Sequence, residues 1–211
     1  RINNWLNSLT SAGMLYETDM QLRPDGASGL LVSSVEAFNE YQHHKAWVWE
    51  HQAITRAAFS AGDIEIGRAF EQIRHAVITQ QRDLAKLKQE VTEMRQKMRA
   101  GHAVPEDTFD LKQSLGGIID VEFIVQYLVL AHAHQYEVLT QNIGNIALLS
   151  NLAALGVIEK AQAEAVAQAY LDFRKKQHAL KLQGHDKARV PLAEVLGQAK
   201  EVQALWKAVF G

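Results

Sequence analysis

Residues 63–99, DIEIGRAFEQIRHAVITQQRDLAKLKQEVTEMRQKMR, carry the clearest structural signal in this chain of 211 residues. The stretch contains no proline and a single glycine, Gly67. Its apolar side chains recur at spacings of three, four and seven residues, the period of one helix face. They are Phe70, Ile73, Val77, Leu84, Leu87, Val91, Met94 and Met98. The pattern predicts one long amphipathic helix over 63–99, with its Lys and Arg side chains on a solvated face.

Helical spacing also covers most of the remaining chain. We expect a short helix over 2–11, and helical structure over 35–58 with a break near residues 43–45. Ser33 or Ser34 is suited to cap that segment. Glycine and proline then separate four further predicted helices, which cover residues 117–136, 143–155, 159–182 and 192–209.

One segment departs from the helical period. Residues 16–22, YETDMQL, alternate between two faces, and Pro24 and the turn after it end the run. This pattern predicts a strand, and almost nothing after residue 35 has the same period. The predicted fold is therefore mainly α, with a remnant of an α/β domain over 1–62 followed by a helical bundle over 63–211.

Composition narrows the class of protein. Hydrophobic residues make up 47% of the chain and charged residues 22%, which is typical of a globular protein. A net charge of −2 argues against a broad nucleic-acid surface. No run approaches the roughly 18 apolar residues of a membrane span. The absence of cysteine excludes disulfides and thiolate zinc sites and fits a cytoplasmic protein. Because the chain does not begin with methionine, we interpret it as part of a longer protein.

Two clusters of residues suggest chemistry. On the predicted strand, Asp19 and Arg23 lie on one face, where they would suit a metal ion and a phosphate, or equally a solvated ion pair. The pair Gly116–Gly117 opens a predicted helix, where free N–H groups bind phosphate, and Lys112 would add a cation. The alternative is a flexible loop before an ordinary helix start. Asp120 and Glu122 are two residues apart, so they point roughly 200° away from each other and cannot share a ligand.

Four stretches of the chain form a recognisable set. They are 15–29 (LYETDMQLRPDGASG), 46–53 (AWVWEHQA), 109–112 (FDLK) and 116–128 (GGIIDVEFIVQYL). Taken together, they resemble the glutamine synthetase adenylyltransferase family, whose members have an adenylylating half and an adenylyl-removing half. The second and fourth stretches are closer in sequence to the adenylylating half, and the resemblance suggests the C-terminal part of that half.

The resemblance implies a nucleotidyltransferase domain with the fold of DNA polymerase β. It also implies the activity of the family, which is transfer of AMP from ATP to a tyrosine of glutamine synthetase. In the family an Asp-x-Asp pair and a third carboxylate hold Mg²⁺, and Asp19 matches the third carboxylate. Arg23 would support the phosphates or Asp19, and Lys112, Asp120 and Glu122 would lie near the nucleotide. No Gly-Ser turn followed by Asp-x-Asp occurs in this sequence. We therefore expect the isolated chain to be inactive.

A second hypothesis belongs to a different functional class. The chain would be a helical regulatory module without catalysis of its own, binding glutamine synthetase, a PII signalling protein or glutamine. The segments most suited to that role are the helix predicted over 63–99 and the bundle over 141–209. Both hypotheses are compatible, because a catalytic chain can carry a regulatory bundle.

Overall fold

The structure is a computed structural model that describes residues 4–5, 7–11, 13 and 23–211. The chain forms two compact units, Arg1–Ala46 and Trp47–Gly211. This division falls before the boundary predicted after residue 62. The assignment of 1–62 to a nucleotidyltransferase domain and of 63–211 to a bundle domain stays a prediction.

In the first unit, a turn begins at Arg23. Its carbonyl oxygen accepts a hydrogen bond from the Gly26 N–H at 2.9 Å. Helix α1 follows at Val35–His44, and the Ser34 hydroxyl caps it by accepting from Ala37 N. The predicted strand over 16–22 lies outside the described residues. The predicted helix over 2–11 is only partly described.

The second unit confirms the helical prediction. Together with α1, its helices bring the described part of the chain to eight α-helices. The break predicted near residues 43–45 lies between α1 and α2, and the four helices predicted after residue 117 are all present. The helices are α2 (Val48–Ile54), α3 (Ile64–Ile78), α4 (Leu84–Ala100), α5 (Ile118–His132), α6 (Asn145–Ala154), α7 (Lys160–Leu182) and α8 (Leu196–Phe210).

The single helix predicted over 63–99 is wrong, because the chain leaves the helix after Ile78 and re-enters it at Leu84. Asp83 caps the second helix: its carboxylate accepts from Ala85 N at 2.9 Å and from Lys86 N at 3.1 Å. Arg82 donates to the Val77 carbonyl at 2.8 Å and so occupies an acceptor at the end of α3. The apolar period continues across the break because both helices face the same core.

A small sheet was not predicted. Strand β1 (Thr108–Asp110) pairs antiparallel with β2 (Arg189–Pro191), and Phe109 lies opposite Val190. Strands of three residues are too short for a detectable alternation. The pairing brings the chain after α7 back beside the loop that precedes α5.

Helix α5 is the centre of the second unit. Thirteen of its fifteen residues are buried, and it packs against α2, α4, α6, α7 and α8. A helix enclosed on all sides needs apolar residues around its whole circumference.

Among the described residues, no helix is both long and apolar enough to cross a membrane.

The backbone at Gly116 passes close to the backbone of α8. Its φ is +80°, and a Cβ built there would lie 2.3 Å from the Ala199 carbonyl oxygen. We expect Gly116→Ala to destabilise the chain by about 2–3 kcal/mol, because backbone strain and a clash with rigid backbone add. Urea unfolding would measure this. Gly156 is the matched control, since its φ is +71° but a Cβ added there would have no atom within 4 Å. Equal losses at both glycines would contradict a role for the α8 contact.

Candidate functional site

The residues predicted on the N-terminal strand are only partly described. Asp19 lies outside the described residues, and its role as a metal ligand stays a prediction. Arg23 lies in the turn that follows, where its Nε donates across the turn to the Gly29 carbonyl at 3.4 Å. Asp25 in the same turn has a left-handed φ of 60°. Such a turn is typical of the Pro-Asp-Gly sequence.

The start of α5 does not offer N–H groups to a phosphate. All four N–H groups from Gly116 to Ile119 donate to acceptors within the chain. In order, the acceptors are the Asp120 carboxylate at 2.7 Å and the carbonyls of Ser114 at 2.9 Å, Leu111 at 2.9 Å and Lys112 at 3.2 Å. An anion site at a helix start requires free donors. The structure therefore favours the alternative, a loop before an ordinary helix start, over a phosphate site at Gly116–Gly117.

Asp120 is the acceptor in a buried ionic cluster. Its side chain is 1% exposed, and Oδ1 lies 2.6 Å from Nε of Arg95, whose side chain is also 1% exposed. Nη2 of Arg99 lies 3.4 Å from the same oxygen. Arg95 also donates to the Gln113 carbonyl at 2.8 Å. The cluster fixes α4 against the start of α5, and it uses Asp120 as a structural partner.

The arginines of this cluster correct the prediction of a solvated basic face on 63–99. Arg95 continues the buried spacing of Leu87 and Val91, and Arg74 on α3 is also buried. Burial lowers the pKa of Arg99, while the negative charge of Asp120 opposes that shift. Buried charges need partners, and Asp120 supplies one. The sequence does contain one indication that Arg95 is buried: it lies four residues after Val91, on the apolar face of the helix.

Glu122 belongs to a second polar cluster on another face of α5. Its Oε1 lies 3.2 Å from Nη1 of Arg56, which follows α2. The Tyr170 hydroxyl on α7 donates to the same oxygen at 3.2 Å and accepts from Asn145 Nδ2 at 2.9 Å. Burial raises the pKa of Tyr170, and the charge of Glu122 raises it further. The hydroxyl therefore keeps its proton and remains a donor.

These two clusters confirm that Asp120 and Glu122 point to different sides of α5. The structure does not bring Lys112 to either cluster: its side chain is exposed, and its backbone N–H donates to Asp110 Oδ1 at 3.0 Å. Asp110 in turn lies 3.5 Å from Nε of Arg189. Nucleotide contacts for Lys112, Asp120 and Glu122 stay predictions.

The metal site was predicted from Asp19 and from carboxylates that this sequence lacks. Within the described part of the chain, no group of three or more His, Cys, Asp or Glu side chains is arranged to hold a metal ion.

Comparison with known proteins decides the family. A family model for glutamate-ammonia ligase adenylyltransferase matches residues 1–73, and a model for GlnD PII-uridylyltransferase matches residues 82–205. Bifunctional glutamine synthetase adenylyltransferase/adenylyl-removing enzymes from Nitrosomonas europaea and Aromatoleum aromaticum are 51% and 52% identical to the chain over its full length. The chain belongs to the glutamine synthetase adenylyltransferase family.

The chain spans about a quarter of these relatives, 24% of the Nitrosomonas enzyme and 22% of the Aromatoleum enzyme. A third family member, from Ralstonia nicotianae, is 51% identical over the whole chain, which covers 22% of that enzyme. Asp19 and Arg23 lie in the part that the adenylyltransferase model matches. Lys112, Asp120 and Glu122 lie in the part that the uridylyltransferase model matches. The predicted site residues are therefore divided between the regions that two different family models match.

Proposed function

We propose that this chain is the C-terminal part of the adenylylating half of a bifunctional enzyme that regulates glutamine synthetase in nitrogen metabolism. The proposal is supported by one observation: over its full length the chain is 51% and 52% identical to two bifunctional glutamine synthetase adenylyltransferase/adenylyl-removing enzymes. The parent would transfer AMP from ATP to a tyrosine hydroxyl of glutamine synthetase. The tyrosine oxygen attacks the α-phosphorus of ATP. The bond between that phosphorus and the oxygen bridging to the β-phosphorus breaks, and pyrophosphate leaves.

In this proposal ATP is a substrate and Mg²⁺ is a cofactor. Carboxylate oxygens are the ligands that Mg²⁺ prefers, and Asp19 is this chain's contribution. The remaining carboxylates would be the Asp-x-Asp pair of the family, which does not occur in this sequence. Arg23, six residues before Gly29 in the same turn, would support the phosphates or Asp19.

The regulatory hypothesis is favoured by a separate observation. Residues 82–205 match a model named for PII-uridylyltransferase, and that region is mainly helical, with one short pair of antiparallel strands. We propose that this region binds glutamine synthetase, a PII signalling protein or glutamine and works alongside catalysis in the parent. A cytoplasmic location accords with these partners and stays a prediction.

We expect the isolated chain to show no adenylylation of glutamine synthetase above background. One candidate metal carboxylate cannot organise ATP and Mg²⁺. The measurement is transfer of labelled AMP to purified glutamine synthetase with ATP and Mg²⁺ present. The full-length parent is the positive control, and label incorporation by the chain alone would contradict the expectation. An inactive parent would contradict the proposed function itself.

A further inference from the structure

A groove lies between the start of α2 and the exposed side of α4, and all its lining residues belong to the second unit. Its volume is about 370 Å³, which is typical of sites for small molecules. Trp47 and Trp49 line the α2 wall, and Met94 is the apolar residue of the α4 wall. The groove therefore offers apolar surface on both sides to a compound of the size of a metabolite.

The two tryptophans of the groove are exposed, at 68% for Trp47 and 37% for Trp49. Tryptophan is well buried on average. The backbone of Trp47 is held in place, because its N–H donates to Glu50 Oε2 at 2.8 Å at the start of the helix. Exposed apolar surface that polar residues surround is typical of binding sites. A ligand in the groove would take the indole surface out of water.

Four charged side chains line the α4 wall, and their formal charges cancel. Lys86 and Glu90 form a pair at 3.8 Å, so these two are neutralised within the protein. Glu93 accepts from the Gln89 amide at 2.8 Å, and an amide does not neutralise a carboxylate. Among the described residues, neither Glu93 nor Lys97 takes part in an ion pair. One negative and one positive charge therefore remain open to a ligand.

The two open charges are close together, because Glu93 and Lys97 are four residues apart on one face of α4. An anion would be attracted by Lys97 and repelled by Glu93, and a simple cation would meet the opposite conflict. A zwitterion avoids both conflicts, since its carboxylate can meet the lysine and its ammonium the glutamate. The indole rings add an attraction for the ammonium, because a cation is stabilised over an aromatic face. An α-amino acid carries both charged groups on one carbon, within the span of a helical turn.

We propose that this groove binds a free α-amino acid as its zwitterion. The carboxylate meets Lys97, the ammonium meets Glu93, and the side chain of the amino acid lies along the indole rings and Met94. Glutamine is the amino acid of the regulatory proposal, and the α4 wall lies within residues 82–205, the region that this proposal concerns. The inference rests on that proposal and adds the place and the charge pattern by which the amino acid is recognised.

The test is isothermal titration calorimetry of the 211-residue chain with L-glutamine and with two analogues that each lack one charge. N-acetyl-L-glutamine has no ammonium group, and L-glutaminamide has no carboxylate. We expect the chain to bind L-glutamine about tenfold or more tightly than either analogue, the effect of losing one charge-assisted contact. A panel of the other common L-amino acids is titrated in the same way.

Variants of the groove assign each contact. Lys97→Met should weaken glutamine binding about tenfold and abolish the preference over L-glutaminamide, because the partner of the carboxylate is gone. Glu93→Gln should do the same for the preference over N-acetyl-L-glutamine. Trp47→Leu should weaken binding of all three compounds, since it removes shared aromatic surface. Lys160→Met, at an exposed pair with Glu164 on α7, is the control and should bind glutamine like the wild type.

The three groove positions are exposed, so the variants should keep the wild-type circular dichroism spectrum. Glutamine binding that is unchanged in both Lys97→Met and Glu93→Gln would overturn the groove and leave the regulatory proposal intact. Binding of a different amino acid with the expected variant pattern would support the groove and remove glutamine as its ligand. A wild-type chain that binds no amino acid would overturn the inference. Adenylylation by the full-length parent does not enter this experiment, so its absence would contradict the proposed function alone.

Discussion

Arg95→Met is expected to destabilise the chain by about 3–5 kcal/mol, the loss typical of breaking a buried ion pair from one side. Methionine fills much of the volume but carries no donor. The Asp120 side chain, which is 1% exposed, would be left with only the Gly116 N–H at 2.7 Å and Arg99 at 3.4 Å as partners. The Gln113 carbonyl would lose its donor as well. Urea unfolding followed by circular dichroism would measure the loss.

Two variants separate charge burial from loss of packing. The double variant Arg95→Met/Asp120→Asn should be more stable than Arg95→Met, because it removes the fully buried carboxylate that has lost its main partner. Arg189→Met removes a weaker ionic contact. Nε of Arg189 lies 3.5 Å from the Asp110 carboxylate, and the Arg189 side chain is 30% exposed. That change should cost less than Arg95→Met, because the Asp110 carboxylate keeps the backbone N–H groups of Lys112 and Gln113 as donors, both at 3.0 Å. A loss at Arg95 no larger than the loss at Arg189 would contradict the structural role of the cluster.

The helices of the second unit could be predicted because their apolar spacing and their caps agree. Asp63 was expected to start a helix, and its carboxylate accepts from Glu65 N and Ile66 N. The break before Leu84 escaped prediction because the apolar spacing runs through it. Asp83 was the available signal, since Asp before a leucine-rich period is a helix cap. A cap inside a periodic stretch is easily interpreted as one more exposed acid.

The candidate site was harder to predict, because its partners are distant in sequence. The divergence of Asp120 and Glu122 followed from helix geometry alone. Their partners did not: Arg95 is 25 residues from Asp120, and Tyr170 is 48 residues from Glu122. Pattern reasoning assigns arginines to solvent by default. Only the fold shows which arginine meets a buried carboxylate.

The second large effect concerns Asp19 in the full-length parent. If Asp19 is a metal ligand, Asp19→Asn keeps the shape of the side chain and removes a charge that Mg²⁺ needs. The loss should be several kcal/mol of transition-state stabilisation, about a thousandfold or more in adenylylation rate. Folding should change little, because removing one of several clustered carboxylates relieves repulsion. Rate and thermal midpoint are therefore measured together.

Asp25→Asn is the matched control, since it makes the same chemical change six residues away. Asp25 is exposed and has a left-handed φ of 60°, which asparagine also tolerates. Its rate should stay within about threefold of wild type, because an exposed turn residue rarely affects the transition state. If Asp19 is only the ion-pair partner of Arg23, Asp19→Asn should instead cost at most about 1 kcal/mol of stability with the rate nearly intact. A variant that keeps more than a tenth of the wild-type rate at saturating Mg²⁺ would remove Asp19 from the metal site. A thousandfold loss at Asp19 beside an active Asp25→Asn would assign the effect to the carboxylate of Asp19 and not to the turn.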